Sequence, residues 1–86
     1  MSHRTLNLTD DLYQYLLDHS LRDTPILRRL RAETAELAEA QMQISPEQGQ
    51  FMALLVELMG ARRIVEVGTF TGYSALCMAS ALPPGG

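Results

Sequence analysis

Four residues near the end of the chain have the types and the spacing to bind a small charged ligand. Glu66, Gly68, Gly72 and Ser74 follow one another where a β-branched run gives way to a helical pattern. Each glycine lets the backbone turn sharply and lets a ligand approach it closely, because no side chain is in the way. The free amides and positive dipole end of the following helix favour an anion, Ser74 adds a hydroxyl donor and Glu66 adds a negative charge. The segment therefore predicts a site for a ligand that carries both charges.

A ligand with a carboxylate and an ammonium group fits this segment better than a pyrophosphate does. The helix end would bind the carboxylate, and acceptor groups near Glu66 would bind the ammonium group. The methionyl part of S-adenosylmethionine carries both of these groups. A dinucleotide site has the pattern G-x-G-x-x-G, and Phe70 stands where its second glycine belongs. The residues alone leave another interpretation open, in which Gly68 and Gly72 only make a tight turn between a strand and a helix.

The composition excludes several classes of function. All seven basic residues are arginine, so a Walker phosphate loop, which needs a lysine after its last glycine, is absent. The net charge of -3 argues against nucleic acid or an anionic membrane as the main partner. Cys77 is the only cysteine, and its apolar neighbours predict a buried, unreactive thiol. With no apolar run of membrane-spanning length and no secretory signal, we expect a cytoplasmic protein.

Two amphipathic helices are predicted ahead of residue 44. Thr9 is a candidate N-cap of the first, and Thr24 is one for the second, with Pro25 at the first helical position. In both, a stripe of mainly apolar residues recurs at helical spacing. They are Leu12, Tyr13, Leu16 and Leu17 in the first helix, and Leu27, Leu30, Thr34, Leu37 and Ala38 in the second.

The third predicted helix has the clearest start. Ser45 and Gln48 match a capping box around Pro46, and Gly60 stands where a left-handed residue ends many helices. Its buried face is predicted to consist of Phe51, Leu54, Leu55 and Leu58.

The last part of the chain predicts a strand, a turn and a helix. The run 64–67 is typical of a buried strand, Thr71 is a candidate N-cap, and a helix is expected over 73–82, packed through Leu76, Ala79 and Leu82. Three helices followed by this unit indicate an α/β fold that opens a Rossmann-like sheet. One parallel strand cannot satisfy its own backbone groups. We therefore expect the 86 residues to be a truncated piece, with an N-terminal helical region at 1–44 and the start of a cofactor-binding domain at 45–86.

The segment 66–74 resembles the first motif of the cation-dependent O-methyltransferases related to the caffeoyl-CoA and catechol O-methyltransferases. The upstream segment 42–51 and the stretch 81–85 are similar to that family as well, whereas the first half of the chain agrees only in its helical layout. The resemblance implies a Rossmann-like fold, S-adenosylmethionine as methyl donor, a divalent cation such as magnesium, and a homodimer. It also implies that the methyl group goes to a hydroxyl of a small aromatic, catechol-like acceptor.

The resemblance also implies roles for individual residues. Ile44 stands where the plant members have threonine, so a backbone or apolar contact is expected from it. The metal carboxylates, the ribose-binding acid and the catalytic lysine of such proteins lie further along the chain, so we expect no catalytic and no metal-binding residue here. The expected cofactor-binding residues are Met42, Ile44, Glu66, Gly68, Thr69, Gly72, Tyr73 and Ser74.

Two functions are therefore to be distinguished. In the first, the protein is an S-adenosylmethionine-dependent O-methyltransferase, to which this chain contributes cofactor binding and orientation while being inactive alone. In the second, the chain is a truncated, non-catalytic helical fragment that acts only in self-association through its first two helices, whose leucine stripes are poorly covered in so short a chain.

Overall fold

The computed structural model describes residues 7–86, so the first six residues of the region predicted at 1–44 lie outside it. The described part is built from helices and the connections between them. In chain order they are α1 (Asp10–Ser20), α2 (Pro25–Thr34), a short 3₁₀ helix (Ala40–Met42), α3 (Pro46–Met59) and α4 (Tyr73–Ser80).

The starts of the first two helices are where the sequence predicts them. The Thr9 hydroxyl accepts from the amide of Leu12 at 3.2 Å, and the Thr24 hydroxyl accepts from the amide of Leu27 at 3.3 Å. Each threonine thereby satisfies an amide that the first turn of a helix leaves without a partner. Because α2 ends at Thr34, the predicted continuation of its stripe through residues 37 and 38 is not helical.

The third helix has the predicted bounds but buries another face. Gly60 ends it in the left-handed conformation, with φ 62°, as predicted, whereas the Ser45 side chain makes no capping hydrogen bond. Its buried residues are Gly49 and Val56. The four residues predicted to be buried are instead between 39% and 73% exposed, and these are Phe51, Leu54, Leu55 and Leu58.

The predicted strand at 64–67 is not formed, and residues 7–86 contain no β-strand. A strand requires a neighbour to pair with its backbone, and this part of the chain offers none. Val65 and Val67, predicted to be buried, are 91% and 96% exposed, while Ile64 and Glu66 are partly covered. The segment thus keeps the two-residue alternation of a strand that packs on one side only.

The fourth helix is the centre of the packing. It begins at Tyr73 and ends at Ser80, two residues before the predicted end, and it contacts both α2 and α3, while α1 contacts α3. Its buried residues are Tyr73 and Cys77, the second as predicted, whereas the predicted Leu76 and Leu82 are half-buried and Ala79 is exposed. Contacts therefore cross between 1–44 and 45–86, and that division stays a prediction. None of the helices in residues 7–86 has the length and apolar character needed to cross a membrane.

Candidate functional site

The loop between residue 68 and α4 takes its shape from three left-handed residues. Gly68 has φ 82°, Phe70 has φ 54° and Gly72 has φ 92°. A side chain at Phe70 in this region costs on the order of 1 kcal/mol, so the surrounding fold holds the loop against a local preference. A Cβ at Gly68 would meet no atom within 4 Å. Glycine at position 68 is therefore needed for its backbone conformation, and the space beside it is open.

The start of α4 differs from the prediction at its cap. Gly72, and not Thr71, is the N-cap residue, and no side chain caps the helix. The first helical bond runs from the amide of Leu76 to the carbonyl of Gly72 at 2.9 Å. The amides of the first turn are thus not used by the helix itself, and they stay available to an anionic group.

A small cleft of about 70 Å³ lies against this loop. We call it the loop cleft. The segment before α3 supplies part of its lining, and the loop with the first turn of α4 supplies the rest. Of the eight residues expected from the sequence to bind the cofactor, six are in this lining. The full lining is Met42, Gln43, Ile44, Gly68, Thr69, Phe70, Thr71, Tyr73 and Ser74.

The two expected residues outside the lining adjoin it. Gly72 forms the turn between Thr71 and Tyr73, both of which line the cleft. The Ser74 hydroxyl donates to Oε2 of Glu66 at 2.5 Å. The other carboxylate oxygen, Oε1, is buried and has no hydrogen-bond partner within residues 7–86. A buried acceptor left unsatisfied costs about 1–3 kcal/mol, so Glu66 is suited to accept from a ligand with N–H or O–H donors.

Three residues of the lining were missed by the sequence reasoning, namely Gln43, Phe70 and Thr71. Gln43 is the most informative of them, because its side-chain oxygen is buried without a partner in the part of the chain that the structure describes. Its position between two expected contacts, Met42 and Ile44, was the available signal. A second unsatisfied acceptor strengthens the case for a ligand that carries donors.

Tyr73 has a structural function as well as its place in the lining. It is 3% exposed, and its hydroxyl accepts a hydrogen bond from Nη1 of Arg31 at 3.2 Å. Burial raises the pKa of Tyr73 above its usual value, although the hydrogen bond from Arg31 opposes it. The phenol is therefore neutral near pH 7, and its oxygen already has a partner.

The loop cleft is equipped to bind and orient rather than to transfer protons. Its lining contains no carboxylate, histidine, lysine or cysteine, and Tyr73 is its one titratable side chain. No group of three or more histidine, cysteine, aspartate or glutamate side chains in residues 7–86 comes together as a metal site. A larger groove of about 560 Å³ runs between α3, α4 and the α1–α2 connection, but Tyr73 is the only expected site residue in it.

Comparison with known proteins adds to this geometry. A family model described as O-methyltransferase matches residues 17–86. The chain is 42% identical over 88 residues to caffeoyl-CoA O-methyltransferase 1 of Zea mays, covering all of this chain and 34% of the relative. It is 47% identical over 75 residues to catechol O-methyltransferase domain-containing protein 1 of Mus musculus, covering 87% of this chain and 29% of the relative. The chain thus spans about a third of the length of the curated relatives it matches.

Proposed function

Because the chain belongs to the O-methyltransferase family, we propose that the protein containing this chain transfers a methyl group from S-adenosylmethionine to a hydroxyl of a small aromatic acceptor. The observation that carries the proposal is the loop cleft, whose lining includes six of the eight residues expected to contact the methyl donor. The names of two relatives, caffeoyl-CoA O-methyltransferase 1 and catechol O-methyltransferase domain-containing protein 1, support a phenolic acceptor.

The residues present fit the methionyl part of the donor. Oε1 of Glu66 is a buried oxygen without a partner in residues 7–86, and it would accept from the ammonium group. The first-turn amides of α4 would donate to the carboxylate. Met42 and Ile44, which line the cleft from the segment before α3, would supply apolar contacts. When bound, S-adenosylmethionine supplies an activated methyl group.

The work of this segment in the reaction is binding and orientation. Holding the donor in one pose converts part of the entropic cost of reaction into a cost of binding. Ser74 keeps the Glu66 carboxylate in place through its hydrogen bond. Oε1 of Glu66 therefore does not need to reorganise when the ligand binds. The divalent cation that the resemblance implies has no ligand set within residues 7–86.

We further propose that 64–67 is the first strand of a Rossmann-like parallel sheet in the complete domain. The alternation between partly covered Ile64 and Glu66 and the exposed Val65 and Val67 supports this. In such sheets, ligands bind beyond the carboxyl ends of the strands, which is where the loop cleft begins.

Calorimetric titration of the full-length protein with S-adenosylhomocysteine tests the function. We expect saturable binding of one ligand per chain, followed by methyl transfer to a catechol in the presence of magnesium. Absence of binding heat and of any ligand-induced rise in unfolding temperature would contradict the proposal.

Self-association is a second candidate property, favoured by one observation on α1. This helix has no buried residue, and it exposes 54% of Leu12, 63% of Tyr15 and 37% of Leu16. A second copy of the chain is the occupant we propose for this face. Sedimentation velocity should show a dimer that Leu12→Gln weakens and Gln14→Ala does not. A monomer at every concentration tested would rule it out.

A further inference from the structure

One face of α2 holds the chain on both sides of Gly72. Oγ1 of Thr34 lies 2.9 Å from Oγ1 of Thr71, and Nη1 of Arg31 donates to the hydroxyl of Tyr73 at 3.2 Å. Arg31 and Thr34 are three residues apart on a helix, so they are neighbours on its surface. The residue before the N-cap of α4 and the residue after it are thus both bonded to the same helix.

The two contacts act where the loop becomes a helix. Gly72 has φ 92°. Glycine adopts positive and negative φ about equally well, so its own preference does not fix this conformation. Thr71, Tyr73 and the next residue, Ser74, all line the loop cleft. Displacement of either bonded residue would therefore move the wall of the cleft and the amides that begin α4.

Arg31 is itself held rigidly. Its Nη1 and Nη2 donate to the two carboxylate oxygens of Asp23 at 2.8 and 2.6 Å, and the two side chains are only 21% and 14% exposed. Two-pronged pairs of this kind combine charge with fixed geometry. The guanidinium carbon also lies 5.7 Å from the centre of the Tyr73 ring, within the range of cation–π attraction.

Thr34 is the other fixed point, because it is 1% exposed and its hydroxyl has Thr71 as partner. Burying a hydroxyl costs free energy unless the hydroxyl forms a hydrogen bond. Neither Thr34 nor Arg31 is in the lining of the loop cleft. Their influence on a ligand would therefore be exerted through Thr71 and Tyr73.

We propose that Thr34 and Arg31 are positioning residues that preorganise the loop cleft for the methyl donor. The inference rests on the proposed function and deepens it, because it makes α2, which lies outside the motif, a determinant of donor affinity. Preorganisation raises affinity by removing the cost of ordering the site at the moment of binding.

Substitution of Thr34 tests the proposal, with the complete protein and S-adenosylhomocysteine as the probe. We expect Thr34→Val to weaken binding about tenfold, the effect of losing one hydrogen bond of about 1.4 kcal/mol. Thr34→Ser, which keeps the hydroxyl, should bind within about twofold of the parent. Arg29→Met serves as the matched control on α2, since Arg29 is 80% exposed and, within residues 7–86, pairs only with Glu33.

Dissociation constants are measured well below the unfolding temperature, so that all molecules counted are folded. A Thr34→Val protein that unfolds at lower temperature but binds with the parent's dissociation constant would have lost stability alone, which would overturn the inference. If Thr34→Val does not fold, Arg31→Lys replaces it, because lysine keeps the charge and loses the two-pronged geometry, and unchanged affinity there overturns the inference too. Absence of binding by the parent would instead reject the proposed function, and this inference with it.

Discussion

Gly49 on α3 and Cys77 on α4 are so close that a Cβ on Gly49 would lie 2.8 Å from the Cys77 Sγ. The same atom would be 3.0 Å from Cε2 of Tyr73. A Cβ contact shorter than 3.0 Å is essentially never seen in proteins, so the approach of the two helices depends on glycine at this position. Since Tyr73 begins α4 and lines the loop cleft, the packing of α3 against α4 also places the cofactor loop.

Gly49→Ala is therefore expected to destabilise the protein. Alanine in a helix gains about 1 kcal/mol over glycine from backbone entropy, but overpacking of a tight contact costs about 1–3 kcal/mol. We expect the second effect to be the larger, giving a lower urea midpoint with an unchanged slope. Gln48→Ala, at an exposed position one residue earlier, should change the midpoint little. A midpoint for Gly49→Ala equal to or above that of the parent would show that α4 moves away freely.

Asp23→Asn is expected to lower stability near pH 7 and to flatten its dependence on acid. Hydrogen bonds from Arg31 lower the pKa of Asp23, against the smaller opposing effect of burial. A lowered native pKa means that the unfolded chain binds the proton more readily. The contribution is thus complete above the ordinary pKa of about 4 and is lost as the pH falls through the lower native value.

Urea unfolding at a series of pH values measures this contribution. We expect Asp23→Asn to cost about 2 kcal/mol at pH 7, because it leaves the Arg31 charge poorly paired, and to lose less stability than the parent below about pH 4. Asp18→Asn is the control, as Asp18 is exposed and bonds only to Gln14 within the described residues. Parallel pH curves for the parent and Asp23→Asn would refute the assignment.

Cys77 should react slowly with thiol reagents in the folded protein. It is 3% exposed, and burial raises the pKa of its thiol, so both access and the thiolate fraction are reduced. We expect labelling by a disulfide reagent to be at least about 100-fold slower than in urea, and to accelerate as the pH rises beyond the ordinary thiol pKa of about 8.5. Equal rates in the two states would place the thiol at the surface.

Local chemistry accounts for what the sequence predicted well. The caps at Thr9 and Thr24 depend only on a side chain and an amide three residues away, so the pattern is visible in the sequence. The left-handed end of α3 at Gly60 is of the same kind. Six of the eight residues expected to bind the cofactor line the loop cleft, because they come from one short segment and one upstream segment. Their part in binding stays a prediction.

Long-range packing accounts for the failures. Apolar residues occupy every position of α3 from 51 to 59 except Glu57, so periodicity could not decide which side faces α4. The buried side carries Val56 and also Gly49, a residue with no hydrophobic signal. The strand at 64–67 has no partner within the described residues. The bonds of Arg31 to Tyr73 and of Thr34 to Thr71 join residues about 40 positions apart, and no local pattern reports them.

Glu66→Gln should weaken the binding of ligands that carry an amino-acid group and leave the binding of other ligands unchanged. The carboxylate is held by Ser74 and presents a buried oxygen without a partner in residues 7–86. If that oxygen accepts from the ligand ammonium, removing the charge costs about 1.5–3 kcal/mol, or about tenfold or more in affinity. Methylthioadenosine, which has the nucleoside and sulfur but no amino-acid part, isolates this contribution.

Calorimetry with both ligands distinguishes recognition from general damage. We expect Glu66→Gln to bind S-adenosylhomocysteine at least about tenfold more weakly and methylthioadenosine as well as the parent does. Glu57→Gln is the matched control, because Glu57 is an exposed acid on α3. Equal losses for the two ligands would mean that Glu66 only maintains the loop, since a distorted cleft would weaken the nucleoside and the amino acid alike. Full affinity for S-adenosylhomocysteine would remove Glu66 from the site, and its buried oxygen would then require another partner.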